Sequence, residues 1–73
     1  MAELVLNVSG MKNSTDQIQV INAMSKYSGV LDVAVEPNSS RVQVIYEKYN
    51  ILPQDLKNSV ESAGYQAEIL QDS

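Results

Sequence analysis

The sequence predicts an α+β fold of element order strand, helix, strand, strand, helix, strand, and three observations lead there. Apolar residues alternate with period two in four stretches and take helical spacing in two others. Glycine, proline or a polar turn marks the boundaries: Gly10, Gly29, "PNSS" at 37–40, Pro53 and Gly64. The chain is 73 residues long, which leaves room for one thin core and not for a large internal cavity.

Taken in order, "ELVLNVS" (3–9) sets Leu4, Leu6 and Val8 against Glu3, Val5 and Asn7, the pattern of a strand with one buried face. Gly10 ends it. From Ser14 the spacing changes, and Ile18, Ile21, Met24 and Tyr27 recur every three residues, marking an amphipathic helix of about four turns that stops at Gly29. Ser14 with Gln17 fits a capping box, and Asp16 stands in the first turn, where the helix dipole favours a carboxylate.

"VLDVAVE" (30–36) returns to alternation with Leu31, Val33 and Val35 on one face, and after the "PNSS" turn "RVQVIYE" (41–47) does the same with Val42, Val44 and Tyr46. These two strands form an antiparallel hairpin. After the connector "KYNI", Pro53 suits the first position of a second helix whose buried stripe is Leu52, Leu56, Val60 and Ala63. Gly64 takes the left-handed position after it, and "YQAEIL" is a last strand with Tyr65, Ala67 and Ile69 on one side.

Each helix crosses over right-handedly, so both cover one face of a four-stranded antiparallel sheet. This is the ferredoxin-like βαββαβ sandwich. The expected parse is one domain over 1–73, with its core in 3–70 and a frayed tail at 71–73.

Composition narrows the function classes. An apolar fraction of 44% with 19% charged residues is that of a folded domain rather than a disordered one. There is no cysteine and no histidine, so thiol redox chemistry and soft-metal capture lack their usual donors. The net charge of −4 opposes phosphate backbones, and strand one carries no aromatic on which a base could stack; no nucleic-acid partner is expected. No leader or membrane-spanning run is evident, so the expected setting is cytoplasmic, without membrane insertion. The Asn-x-Ser/Thr triplets at Asn7, Asn13 and Asn38 are then chance matches. Catalysis is not expected: Ser14 has no recognisable base partner, and the sole arginine, Arg41, lies at the hairpin rather than in a phosphate-binding loop.

The ordered set "LNVSGM", "GVLDVAVE", "RVQVIYE" and "LPQDLKNSVESAGYQAEI" resembles the heavy-metal-associated domain, the fold of small copper chaperones and of modules of metal-transporting ATPases, from Leu4 to Ile69. In that family a Gly-Met pair and one variable residue precede Cys-x-x-Cys, whose thiolates hold a soft ion. Laid on this chain, Gly10, Met11 and Lys12 match the approach, and the two cysteine positions fall on Asn13 and Asp16. The resemblance therefore implies the fold and a metal loop from which both thiolates are missing.

The residues left in the loop do not replace them. Cu(I) needs soft donors, whereas the loop offers the Met11 thioether, an Asn13 amide, the Ser14 and Thr15 hydroxyls and the Asp16 carboxylate. Zn(II) wants four Cys, His or carboxylate ligands, and Ca(II) or Mg(II) several carboxylates, so no cofactor is expected and only weak metal binding is open. A helix N-terminus also satisfies Asp16 without a cation. Lys12, Ser14 and Thr15 could draw an anion there, which Asp16 opposes, and phosphorylation of Ser14 or Thr15 would add charge at the helix start. Tyr65, which the resemblance sets beside the loop, reads as a ring closing the core with its hydroxyl at the surface.

Three functions follow as expectations. The first is a small protein that acts by transient contact with another protein; by resemblance that partner is a metal-transport ATPase or a chaperone, and the chain is a monomer or weak dimer. Lys12, Lys26 and Lys57 mix with Asp16, Asp55 and Glu61 on its helices and flanks, so no single-sign face names the partner. The second is a metal-binding protein of altered preference or weak affinity, using two copies of Met11, Asn13 and Asp16 across a dimer. The third is a sensor holding a small molecule between the paired sheets of a dimer.

Overall fold

The computed structural model of the chain describes residues 1–36, 39–49 and 51–72. The elements follow the predicted order: β1 Ala2–Ser9, α1 Ser14–Ser25, β2 Val30–Val35, β3 Arg41–Tyr46, α2 Pro53–Ser62 and β4 Gln66–Asp72. One sheet runs β2-β3-β1-β4 with each neighbouring pair antiparallel. α1 packs on β2, α2 packs on β4 and β1, and the helices touch each other, so both cover one face. That is the ferredoxin-like sandwich.

The two central strands behave as their alternation requires. Leu4, Leu6 and Val8 of β1 and Val42, Val44 and Tyr46 of β3 are fully buried, because strands on both sides and helices above leave them no route to water. The register sets Leu6 opposite Val42 on one side and Ile69 on the other. Ser59, the buried polar residue of α2, donates from its hydroxyl to Leu56 O at 2.8 Å and so leaves no orphaned group.

The peripheral elements depart from the pattern in four places. In α1 the buried residues are Val20 and Met24, while Ile18 is 56% exposed. Steps of three fall short of a full turn by about 60°, so a ladder counted back from Tyr27 has left the buried face by Ile18. The helix also ends at Ser25, not at Gly29. Gly29 is not in the left-handed region; it is buried, and a Cβ there would lie 2.9 Å from Ile51 Cδ1. Its lack of a side chain serves close packing of the α1–β2 turn against Ile51.

Leu31 is exposed because a bulge between Val30 and Asp32 leaves it without a Cα partner on β3, and the inward set becomes Val30, Val33 and Val35. In α2, Leu56 and Val60 are buried as predicted, but Leu52 and Ala63 are exposed. Leu52 is the N-cap with extended backbone and does not point along the helix stripe; Ile51 turns inward in its place. Ala63 is the C-cap at an open end, where nothing lies within 4 Å of a Cβ built on the neighbouring Gly64. Finally, Gln71 and Asp72, expected to fray, continue β4 and pair with Val5 and Leu4. Pro37 and Asn38 of the predicted turn, with the Asn38 triplet, and also Asn50 and Ser73, lie outside the described residues.

Two tyrosines tie the ends of elements together. The Tyr27 hydroxyl donates to Asp55 O at 3.4 Å, joining the end of α1 to the start of α2. The buried Tyr46 ring reaches its hydroxyl to Asp72 Oδ1 at 3.4 Å, and burial, then the Asp72 charge, push its phenol above the ordinary value. The opposite pole collects the end of β1, the start of α1, the end of α2 and the start of β4, since Ser9 pairs with Gln66.

Candidate functional site

At that pole Gly10 turns the chain out of β1 with φ of 101°, a conformation that costs any residue with a Cβ. Met11 follows half-buried, packed against the core, and Lys12, Asn13, Ser14 and Thr15 are exposed.

The helix cap lies one residue earlier than predicted. Asn13 is extended, with φ of −154° and ψ of −178°, and is the N-cap of α1, while Ser14 is already helical. Its carbonyl accepts the first helical bond from Gln17 N–H at 3.2 Å. The Asn13 side-chain oxygen accepts from Asp16 N–H at 3.1 Å, and Asp16 Oδ2 accepts from Lys12 N–H at 2.8 Å. Two orphan N–H groups are satisfied by side chains three and four residues away, which Ser14 and Gln17 would have done one step later.

Asp16 has a second, distant partner. The Tyr65 hydroxyl donates to Asp16 Oδ1 at 2.8 Å and also stands 2.7 Å from Gln19 Oε1. With one proton to give, it serves the carboxylate, the stronger acceptor, and the Gln19 amide can present its –NH2 to the phenol oxygen. Tyr65 is half-buried, and its hydroxyl, expected at the surface, has these two partners there. The ring also lies against the turn, with its Cδ1 3.5 Å from where a Cβ on Gly10 would sit. Gln19 was missed in the sequence, although its place three residues beyond Asp16 on a helix was the available signal.

These contacts set the charge states. The Lys12 N–H, then the Tyr65 hydroxyl, hold the Asp16 carboxyl below the ordinary carboxylate value, and the same bond to Asp16 pushes the Tyr65 phenol above its ordinary value. For an acid depressed in the fold, the stabilisation is complete above the ordinary carboxylate pKa and is lost as pH falls through the folded one. For the raised phenol it is complete below the ordinary phenol pKa and is lost as pH rises through the folded one. The urea midpoint of wild type is therefore expected to exceed that of Asp16→Asn most between about pH 5 and pH 9. The gap should narrow as pH falls below the ordinary carboxylate value and again as pH rises above the ordinary phenol value; a gap independent of pH would mean that these bonds do not stabilise the fold.

Chemically, the site is satisfied by its own groups. Among the described residues, no group of three His, Cys, Asp or Glu side chains is close enough to hold a metal ion. Ser14 and Thr15 are exposed, and neither appears in a side-chain hydrogen bond among the described residues that would activate it. Among the same residues, no helix is long and apolar enough to cross a membrane.

No protein-family model matches the chain. It is 29% identical over 65 residues to the copper chaperone CopZ of Staphylococcus haemolyticus, covering 89% of this chain and 96% of that one. Its fold superposes on a copper-binding domain from HMA7, a P-type ATPase, with a TM-score of 0.94 and 27% identity, over 100% of this chain and 99% of the other. It superposes equally along its whole length on a chain of the Atx1–Cu(I)–Ccc2a complex, with a TM-score of 0.89, 26% identity and 100% of each chain covered. Fold, element order and sequence agree: the chain is similar throughout to heavy-metal-associated and copper-chaperone domains, and it contains no cysteine and hence no Cys-x-x-Cys motif.

Proposed function

We propose that this domain works by transient contact with another protein and carries no metal tightly, with Asn13 and Asp16 standing where relatives of this kind place thiolates. The observation that carries the reading is the closed hydrogen bonding of the loop: Asn13 bonds Asp16, and both Asp16 oxygens are engaged by Lys12 N–H and Tyr65. A cation would compete with those bonds for the carboxylate and meet the positive end of α1. The same full use of Asp16, with Met11 packed against the core, argues against a shared metal site between two copies.

The uncovered sheet face argues against pairing of sheets around a small molecule. It carries Glu3, Asp32, Glu36 and Glu68 against Arg41, so two such faces would repel. Resemblance to a copper-binding domain of a P-type ATPase and to a chain of the Atx1–Cu(I)–Ccc2a complex supports a partner from metal transport; the role proposed for the domain is cytoplasmic and non-catalytic. Such encounters suit a small interface of mixed charge.

Native mass spectra during titration with reduced copper, zinc and calcium salts test this. No stoichiometric complex is expected at micromolar metal. A one-to-one or two-to-one complex of micromolar affinity would overturn the reading, and affinity capture from the native cell would then identify the partner if it holds.

A further inference from the structure

We propose that Tyr65 is the positioning residue of this loop: its hydroxyl clamps Asp16, and with it the segment from Gly10 to Asp16, onto the start of β4, so that the loop keeps one form without any bound metal. The consequence for partner contact rests on the docking reading above, but the clamp itself does not.

The other hydrogen bonds of the loop are local. Asn13 to Asp16 and Lys12 to Asp16 span three and four residues, and they shape the loop without attaching it to the sheet. Tyr65 reaches Asp16 across 49 residues of sequence. Its own position is fixed on both sides. The residue after it, Gln66, pairs with Ser9 at the end of β1, and its ring lies against Gly10. Gln19, one turn into α1, holds the hydroxyl from the other flank at 2.7 Å. The loop is therefore joined to β4, to the end of β1 and to α1 through one phenol. Met11 supplies the apolar half of the same attachment by packing against the core.

A clamp made of side chains is present whenever the protein is folded. A surface formed around this loop would then be presented continuously, instead of being completed by a bound ion. Exposed Lys12, whose N–H bonds Asp16, stands on that surface. A partner that reads it would not sense metal.

Amide hydrogen exchange of the full chain, followed by NMR in wild type and Tyr65→Phe, is the test. Phenylalanine keeps the ring against Gly10 and removes only the donor. Exchange at Lys12 and Asp16 is expected to quicken about tenfold while the β1 and β3 amides keep their rates. Unchanged exchange at Lys12 and Asp16 would overturn the clamp. Asp16→Asn reads it from the other side and should loosen Tyr65: its ring resonances should broaden or shift while those of Tyr46 stay fixed, and their staying put would count against the proposal. Adding Cu(I) or Zn(II) to wild type separates the two readings. Slower loop exchange with metal would sink the metal-free docking function and leave the clamp to be judged by Tyr65→Phe alone.

Discussion

Leu6→Ala is expected to destabilise the domain by about 2–5 kcal/mol, while Ile18→Ala, at a position equally apolar in sequence, should change stability by less than about 0.5 kcal/mol. Leu6 lies on β1, between β3 and β4, opposite Val42 and Ile69 and with no exposed surface. Truncating it removes burial and opens a cavity that a sheet flanked on both sides cannot collapse. A chain of 73 residues has roughly 4–11 kcal/mol of total stability, so the loss takes a large share of it. Ile18 is 56% exposed on α1 and loses little by truncation. Urea titrations followed by circular dichroism measure both. Equal losses would mean that the buried face of α1 includes Ile18 and that the rotation described for the helix is wrong.

That contrast shows what was legible in the sequence. β1 and β3 could be read residue by residue, because a central strand with one covered face has no freedom to shift its alternation by one position. Edge strand β2 has that freedom, and a bulge spent it on Leu31. The stripe of α1 was harder, since Ile18, Val20 and Ile21 are all apolar and only packing against β2 decides among them. At Gly29 the residue was singled out for the wrong reason: a helix-stopping glycine and a glycine crowded by Ile51 look alike until the distant isoleucine is placed.

The candidate site divides in the same way. Asp16 was readable as a helix-start carboxylate, because capping is local and its partners are three and four residues away. That Asn13 rather than Ser14 is the cap was not, since both are good caps and the choice depends on which residue takes the extended backbone. The bond from Tyr65 was beyond reach, because no local pattern links residues 49 apart. Resemblance set Tyr65 near the loop, and only the folded chain supplies its acceptor.

Asn13→Cys combined with Asp16→Cys is expected to create Cu(I) binding, and to do so in a protein less stable without copper than wild type. The two positions are three apart across the start of α1, a spacing that brings their side chains to one side of the helix end. There the N-terminal N–H groups and the dipole favour thiolate, the form that binds the soft ion. The substitutions also delete the cap, at a cost of about 1 kcal/mol, together with the carboxylate that Tyr65 and Lys12 hold. The copper-free variant should therefore show a lower urea midpoint and faster loop exchange. Copper should reverse both, since a ligand at a thousand times its Kd adds about 4 kcal/mol by linkage. Competition against a chromophoric Cu(I) chelator, with midpoints recorded with and without copper, reads each arm. Either single substitution should bind far more weakly, because one thiolate lacks its partner. A folded double variant that leaves copper with the chelator would mean that the loop holds these two positions apart, and that the hydrogen bond from Asp16 N–H to Asn13 Oδ1 does not measure the space an ion would fill.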